Sequence, residues 1–244
     1  MTPQRADAQA ITDSNPERLS PWWWLGLPLG AALGLLGAGH LAPDFYAGWI
    51  ANEQSGLLEL SHVILPLGGL LIGLRMLAMA SLRRRPLLWI WIALGSLACL
   101  YIAGEEASWG QHYFGWPTPE SWRAVNDQGE TNLHNISSWL DQKPRLLLEF
   151  GVILGGIAVP LLALCFPGLR RPAWAVVLPP LACLPSALLA EGSRMAERLL
   201  DLVGGQGYLF YRASEVQEFY FYLFILLYLV VLRRRLEAGP REAK

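Results

Sequence analysis

The sequence predicts an all-α membrane protein, a polytopic helical bundle with about six transmembrane helices. Hydrophobic residues make up 53% of the chain, and charged residues make up only 16%. Several apolar runs approach the twenty residues that a helix needs to cross about 30 Å of hydrocarbon. A chain of 244 residues with this many runs forms a single integral membrane domain, 1–244, without a separate soluble domain.

The first three predicted spans occupy the N-terminal half of the chain. Three consecutive tryptophans near the start of the first span are typical of an anchor at the membrane surface. Three arginines follow the second span, and the third span ends in a Gly-Glu-Glu sequence. The predicted bounds of these spans are 21–42, 56–80 and 87–104.

The last three predicted spans are 146–166, 174–190 and 219–232. Two arginines follow the fourth span, and three follow the sixth. Proline lacks the backbone N–H that a helix interior needs, so prolines within the spans are candidate helix breaks. These candidates are Pro66 with Gly68 and Gly69, Gly155 and Gly156 with Pro160, and Pro179 with Pro180.

The basic residues predict the orientation of the chain. Lys and Arg accumulate in cytoplasmic loops, and here they follow the second, fourth and sixth spans. Both termini are therefore predicted to be cytoplasmic, with tails at 1–20 and 233–244, in a bacterial inner membrane. The first twenty residues mix basic and acidic side chains, and the apolar stretch after them is long, so we expect an anchor that stays attached rather than a cleaved signal peptide.

The acidic residues lie on the opposite predicted side of the membrane. All four histidines fall there, and so do all twenty Asp and Glu residues except Asp7, Asp13, Glu17, Glu237 and Glu242. A carboxylate or an imidazole at lipid depth is energetically expensive and is usually functional. The asymmetry therefore predicts a polar site at the outer ends of the helices.

Glu59 and His62 are the first candidate ligands for a metal. Three residues apart on a helix, they share one face, and di-metal carboxylate bundles use this Glu-x-x-His spacing to aim two ligands inward. A histidine that simply bonds a neighbouring backbone or side-chain group would give the same pattern. Further carboxylates at the same depth, including Glu149, favour a site. The candidate metal ligands are Glu59, His62, His134, Glu191, Glu215 and Glu218.

The predicted external loop, 105–145, contributes the candidate catalytic carboxylates Glu105, Glu106 and Glu130. About 100° separates adjacent residues on a helix, so we expect one of the first two to face the bundle while the other caps the loop or pairs with a basic residue. Glu130 and His134 are four apart and either form a catalytic pair or orient a surface histidine. The loop is rich in aromatic residues, and we expect short surface helices that anchor it or cover a lipid-facing entrance.

Two strings in this region, GEEASWGQHYFGW and NDQGETNLHN, resemble a known family. It is a family of uncharacterised bacterial multi-pass membrane proteins with a Gly-Glu-Glu/Ser-Trp-Gly-Gln motif and a Glu-Thr-Asn-Leu-His-Asn motif. A basic residue usually follows the Gln of the first motif, where this chain has His112. The resemblance implies a functional loop without implying a reaction. It adds Trp109, Gln111, Asn132 and Asn135 as candidate substrate-binding residues.

Two arginines offer a competing explanation for the acidic residues. Arg194 lies three residues from Glu191 and from Glu197, and Arg212 lies three from Glu215, so local ion pairs could neutralise these acids. The same arginines could instead clamp an anionic substrate, since a guanidinium binds phosphate or carboxylate with two hydrogen bonds. Both arginines are therefore also substrate-binding candidates.

Carboxylate and histidine ligands suit Zn, Fe or Mn, and such a metal generates a nucleophile from bound water near neutral pH. The sequence therefore predicts a periplasm-facing, metal-assisted hydrolase or transferase. Its predicted partners are membrane lipid and a lipid-linked small molecule, with no nucleic acid. Two alternatives use the same residues, namely a proton- or cation-coupled transporter and a non-catalytic scaffold for envelope assembly.

Overall fold

A computed structural model of the chain confirms the all-α polytopic class. It describes residues 19–52, 55–126, 129–133, 136, 138–170, 172–204 and 207–238. No strand occurs in these ranges, and six helical segments are long and apolar enough to cross a membrane. We label their helices α1 Trp22–Leu41, α2 Leu57–Leu77, α3 Pro86–Glu106, α4 Lys143–Cys165, α5 Leu184–Leu202 and α6 Ala213–Glu237.

The fifth span departs from its predicted bounds, 174–190. Only a 3₁₀ turn, Ala173–Val177, forms at its predicted start, and regular α-helix begins at Leu184. The prolines at 179 and 180 prevent an earlier start because they supply no N–H. The helix then continues past Glu191 to Leu202 and ends just before Gly204, whose left-handed φ of 65° is typical of a helix stop. The polar residues after 190 therefore extend the helix instead of ending it.

The other candidate breaks behave differently from one another. Pro66 lies inside α2 without ending it. In α4, the chain widens to a π-helix over Val152–Ala158 directly before Pro160. A π-turn shifts the hydrogen-bonding pattern by one residue, which accommodates the missing N–H of the proline. Both spans therefore remain helical throughout.

The central helix of the bundle is α6. In its most apolar segment 61% of the residues are buried, against 17% to 33% in the other five spans. It packs against α2 and α5, and its core includes Tyr220, Phe221 and Leu223. A helix that is buried on all sides carries apolar residues around its whole circumference, as this one does. The outer helices expose large apolar side chains, as expected where lipid surrounds a bundle.

Close packing aligns α2 with α3. At Gly73 an added Cβ would lie 2.1 Å from Ser96 Oγ, so only glycine allows this approach. The two helices run in opposite directions, which places the start of α2 beside the end of α3. The start of α6 lies there too, since it packs along α2. We call this end of the bundle, where α2 and α6 begin and α3 ends, the acidic end.

At the opposite, basic end, Arg235 stabilises the irregular start of the fifth span. Its Nη1 donates hydrogen bonds to the carbonyl oxygens of Val176 and Leu178, at 2.8 and 2.5 Å. These carbonyls belong to the non-helical chain before α5, which lacks helical donors for them. An arginine that the sequence assigns only to orientation therefore also satisfies partly buried backbone carbonyls.

Short helices form in the external loop, as predicted. They are a 3₁₀ turn, Ser108–Gly110, and two α-helical turns, Gln111–Phe114 and Glu120–Arg123. The helix that becomes α4 already begins at Ser138. The predicted loop of about forty residues is therefore shorter and more ordered than its length in the sequence indicates.

Candidate metal centre

His62 lies at the centre of the acidic end and is fully buried, with 0% of its surface exposed. Its Nε2 lies 3.0 Å from the carbonyl oxygen of Glu215. A carbonyl oxygen only accepts hydrogen bonds, so Nε2 carries the hydrogen. In the neutral imidazole, Nδ1 then keeps its lone pair, and Nδ1 has no hydrogen-bond partner among the described residues. In its neutral form the buried imidazole therefore presents an acceptor for which no hydrogen-bond donor lies among the described residues.

Nδ1 points towards carboxylates. It lies 3.7 Å from Glu106 Oε2 and 3.7 Å from Glu215 Oε2, which is too long for a hydrogen bond. Two groups of three side chains have ligand atoms within 4.8 Å of one another, and they share His62. One group is Glu59, His62 and Glu215, and the other is His62, Glu106 and Glu218.

These separations suit a divalent metal ion. Two ligand atoms that each lie about 2.0–2.2 Å from one metal are at most about 4.4 Å apart. The 3.7 Å distances from His62 Nδ1 fall inside this limit. The remaining ligand atoms of each group all lie within 4.8 Å of one another, close to the same limit. The donor set of imidazole and carboxylates fits Zn, Fe or Mn.

Each carboxylate also has a partner that fixes its orientation. The Tyr222 hydroxyl donates to Glu106 Oε1 at 2.8 Å. Arg145 Nη1 lies 3.1 Å from Glu218 Oε1, and Arg212 Nη2 lies 3.1 Å from Glu215 Oε1. One oxygen of Glu106 and one of Glu215 are held in this way while the other faces His62.

Arg212 itself is held by the backbone and by a second carboxylate. Its Nη1 donates to the Ala51 carbonyl at 2.8 Å, and its Nη2 lies 3.7 Å from Glu59 Oε1. The residue adopts a left-handed φ of 54° directly before α6. Tyr46 lies beside it, and burial raises the pKa of Tyr46 to about 12. The Tyr46 hydroxyl therefore stays neutral and donates to the Tyr211 carbonyl at 3.0 Å.

The adjacent glutamates of α3 point in different directions, as predicted. Glu106 faces the bundle and His62. Glu105 faces the loop, where it accepts hydrogen bonds from the Trp109 indole at 2.7 Å and from the Leu133 N–H at 2.6 Å. Glu106, which the sequence predicts to be catalytic, therefore belongs to a metal-compatible group. Glu105 instead links the segments of the two motifs through hydrogen bonds.

A hydrogen-bonded network connects the remaining motif residues of the loop. Glu130 Oε2 accepts from Ser108 at 2.7 Å and from the Asn132 amide at 2.8 Å. Gln111 donates to Thr118 and accepts from the N–H and the hydroxyl of Thr131. Candidates for catalysis and substrate binding thus hold the loop in shape in this structure.

The candidates on α5 lie outside both metal-compatible groups. Arg194 forms an ion pair with Glu197, one of the two partners that the sequence offers. Glu191 neighbours Glu149 on α4 and Arg198, and Arg198 approaches Glu149 at 3.5 Å. These acids and arginines form a separate charged patch between α4 and α5.

The structure brings together four of the candidate metal ligands with one candidate catalytic residue, and these roles remain predictions. The ligands are Glu59, His62, Glu215 and Glu218, and the catalytic candidate is Glu106. His134, Asn135 and the side chain of His112 lie outside the part of the chain that the structure describes.

Sequence reasoning missed two residues of the site, Tyr222 and Arg145. Tyr222 follows Glu215 and Glu218 at the spacing i, i+3, i+7, which places all three on one face of a helix. Arg145 stands at the outer end of the fourth span, on the side where basic residues are scarce. These two signals could have identified both residues.

Comparisons with known proteins found no relative of this chain. The chain matches no protein family model, no curated protein sequence and no solved structure. The family resemblance of the motif strings therefore remains a prediction, and the geometry of the acidic end is the remaining basis for a function.

Proposed function

We propose that this protein is a metal-dependent membrane enzyme, a hydrolase or a transferase, that acts on a lipid or lipid-linked substrate. The observation that carries the proposal is the buried Nδ1 of His62, whose lone pair faces carboxylates. A lone pair beside anions is unfavourable unless a proton or a metal cation lies between them, and the two 3.7 Å separations leave room for the metal. Metal-ligating histidines typically donate their other N–H to a carbonyl or carboxylate, as His62 does to Glu215.

The charges of the neighbouring side chains support the same proposal. The carboxylates of Glu59, Glu106, Glu215 and Glu218 outnumber the guanidiniums of Arg145 and Arg212 by two. With all four carboxylates ionised and His62 neutral, a divalent cation would balance this excess; without a metal, protons would have to do so. A metal bound there would act as a Lewis acid and lower the pKa of a water molecule towards neutrality.

The side chains around the site orient the carboxylates and offer exposed edges to a substrate. Tyr222 and the two arginines fix the carboxylates, so the ligands need little rearrangement to bind a cation. The side chains of Arg145 and Arg212 remain 25% and 23% exposed. Their exposed edges can bind the anionic part of a substrate, because a guanidinium pairs well with phosphate or carboxylate.

The depth of the site favours a lipid substrate. His62 is the sixth residue of α2, which places it about 7.5 Å from the start of the helix. We expect a substrate to reach this depth between the apolar spans rather than from bulk water. Lipid headgroups and lipid-linked molecules occupy this depth.

Cation-coupled transport is the second candidate. The π-helix in α4 and the non-helical chain before α5 resemble the irregular helices of transporters. Transporter sites lie near the bilayer midplane on such broken helices. The carboxylates of this protein instead lie at one end of α2, α3 and α6, which are continuous α-helices. This placement favours the enzyme.

The proposed orientation puts the acidic end in the periplasm of a bacterial inner membrane. A reporter fused after Arg85 should then be cytoplasmic, and one inserted after Val125 should be periplasmic, because arginines accumulate on the cytoplasmic side. Paired phosphatase and fluorescent-protein fusions measure both positions. A cytoplasmic signal after Val125 would reverse the orientation and contradict a periplasmic site.

Elemental analysis tests the metal. The detergent-purified protein should contain Zn, Fe or Mn in stoichiometric amount, and His62→Gln should lose it because the amide replaces the only imidazole of both groups. The same variant should lose any activity on extracted membrane lipids, followed by mass spectrometry.

His40→Gln is the matched control for this test. His40 also lies at the acidic end, but it contacts the Leu209 carbonyl and stacks on Tyr208, and it belongs to neither metal-compatible group. Its replacement should leave the metal content unchanged. Wild-type protein without metal under metal-replete expression would refute the proposal and favour a structural ion-pair network.

A further inference from the structure

The two metal-compatible groups cannot both bind a metal through His62. They share one imidazole, its Nε2 is engaged by the Glu215 carbonyl, and a single Nδ1 lone pair coordinates a single ion. The buried, unpartnered Nδ1 points to a ligand, and the surrounding contacts indicate which carboxylates complete the site.

In the group of Glu59, His62 and Glu215, a cation already lies against the carboxylates. Arg212 Nη2 is 3.1 Å from Glu215 and 3.7 Å from Glu59. Its bond to the Ala51 carbonyl holds the guanidinium in this position. A metal ion between the same two carboxylates would meet this positive charge at short distance, and like charges repel.

In the group of His62, Glu106 and Glu218, different donors hold the two carboxylates. Tyr222 binds Glu106 through a neutral hydroxyl, and Arg145 binds Glu218. Glu106 thereby turns Oε2 towards Nδ1. The Tyr222 ring also packs edge-on against the His62 ring, with centroids 5.4 Å apart. One tyrosine therefore contacts two of the three prospective ligands.

We propose that the metal is held by His62, Glu106 and Glu218, and that Tyr222 is the positioning residue that aligns the first two. The inference rests on the proposed function and deepens it, since it assigns the ligands of the same site. The Arg212 guanidinium occupies the place that a metal ion would take between Glu59 and Glu215, and this keeps these two carboxylates out of the metal site.

The test is a titration of the full-length, metal-stripped protein in detergent with Zn²⁺ and with Mn²⁺. Tyr222→Phe removes the hydroxyl but keeps the ring, and it should weaken binding by about 10- to 100-fold, the usual effect of losing a partner that orients a ligand. Tyr220→Phe is the matched control. It lies on the same helix, is fully buried, and donates to the Pro28 carbonyl away from the site, so its affinity should equal that of the wild type.

Glu→Gln variants test the ligand assignment independently. Glu106→Gln and Glu218→Gln should abolish binding, whereas Glu59→Gln should weaken it far less. Thermal unfolding of each metal-free variant identifies any that fail to fold, and an aspartate replacement then takes the place of the glutamine. Wild-type protein that binds neither ion, nor Fe²⁺ in the same titration without oxygen, would refute the proposed function as well. Binding by the wild type with equal affinity in Tyr222→Phe, or with a larger loss in Glu59→Gln than in Glu106→Gln, would overturn only the assignment.

Discussion

Replacing Arg145 by Gln is expected to lower the free energy of unfolding by about 3 kcal/mol, the lower end of the range for breaking a buried ion pair. Arg145 pairs with Glu218 at 3.1 Å, and the two side chains are only 25% and 19% exposed. The guanidinium also donates to the Ser214 carbonyl and to Gln217 Oε1. Its loss strands the Glu218 carboxylate and the Gln217 side-chain oxygen at the start of the central helix.

Unfolding of the metal-free protein in detergent with a chemical denaturant measures this effect, and two further variants show whether the ion pair causes it. Arg145→Gln combined with Glu218→Gln should recover most of the stability, because no charge remains without its partner. Arg233→Gln breaks the more exposed pair with Glu237 on the same helix and should change stability by less than about 1 kcal/mol. An Arg145 variant no less stable than the Arg233 variant would show that the pair does not hold the acidic end together.

Local signals in the sequence were sufficient for the architecture. Each span is a predominantly apolar run, and the arginines that follow alternate spans mark one end of the bundle. The fifth span starts at residue 174, as predicted, but it extends to Leu202 instead of ending at 190. Hydropathy also does not register where regular helix begins, because the prolines at 179 and 180 delay it to Leu184. Backbone hydrogen bonding, rather than hydrophobicity, set that boundary.

The composition of the site was only partly predictable. Glu59, His62, Glu215 and Glu218 stood out because charged and imidazole groups are rare near the ends of apolar spans. Which of them face one another depends on how each helix is rotated about its axis, and apolar runs on all faces of α6 hide that rotation. Tyr222 lies among aromatic residues and looks like ordinary core until Glu106 is placed opposite its hydroxyl.

The adjacent glutamates 105 and 106 should give opposite phenotypes when each is replaced by Gln. Glu105 accepts two N–H donors, so a glutamine there loses one acceptor and turns an amide donor towards another donor. An unsatisfied buried group costs about 1–3 kcal/mol. The loop should therefore open more readily, while Glu106 keeps its place in the proposed metal site.

Backbone strain makes the loop sensitive to this loss. Ser108 and Trp109 have left-handed φ values of 44° and 54°, which disfavour non-glycine residues by about 1–2 kcal/mol each. The bonds from Trp109 and Leu133 to Glu105 help to hold the chain in that shape. Hydrogen exchange at residues 108–133 should accelerate in Glu105→Gln and stay at the wild-type rate in Glu106→Gln.

Metal content should follow the reverse pattern, lost in Glu106→Gln and retained in Glu105→Gln. The contrast is informative because the two residues are neighbours with the same chemistry, and only their direction on the helix differs. If both variants lose metal and both accelerate exchange, the loop and the acidic end form one cooperative unit, and Glu105 would then act on the site through the end of α3. If neither variant loses metal, Glu106 is not a ligand, and the carboxylate beside His62 serves only to hold the tyrosine hydroxyl.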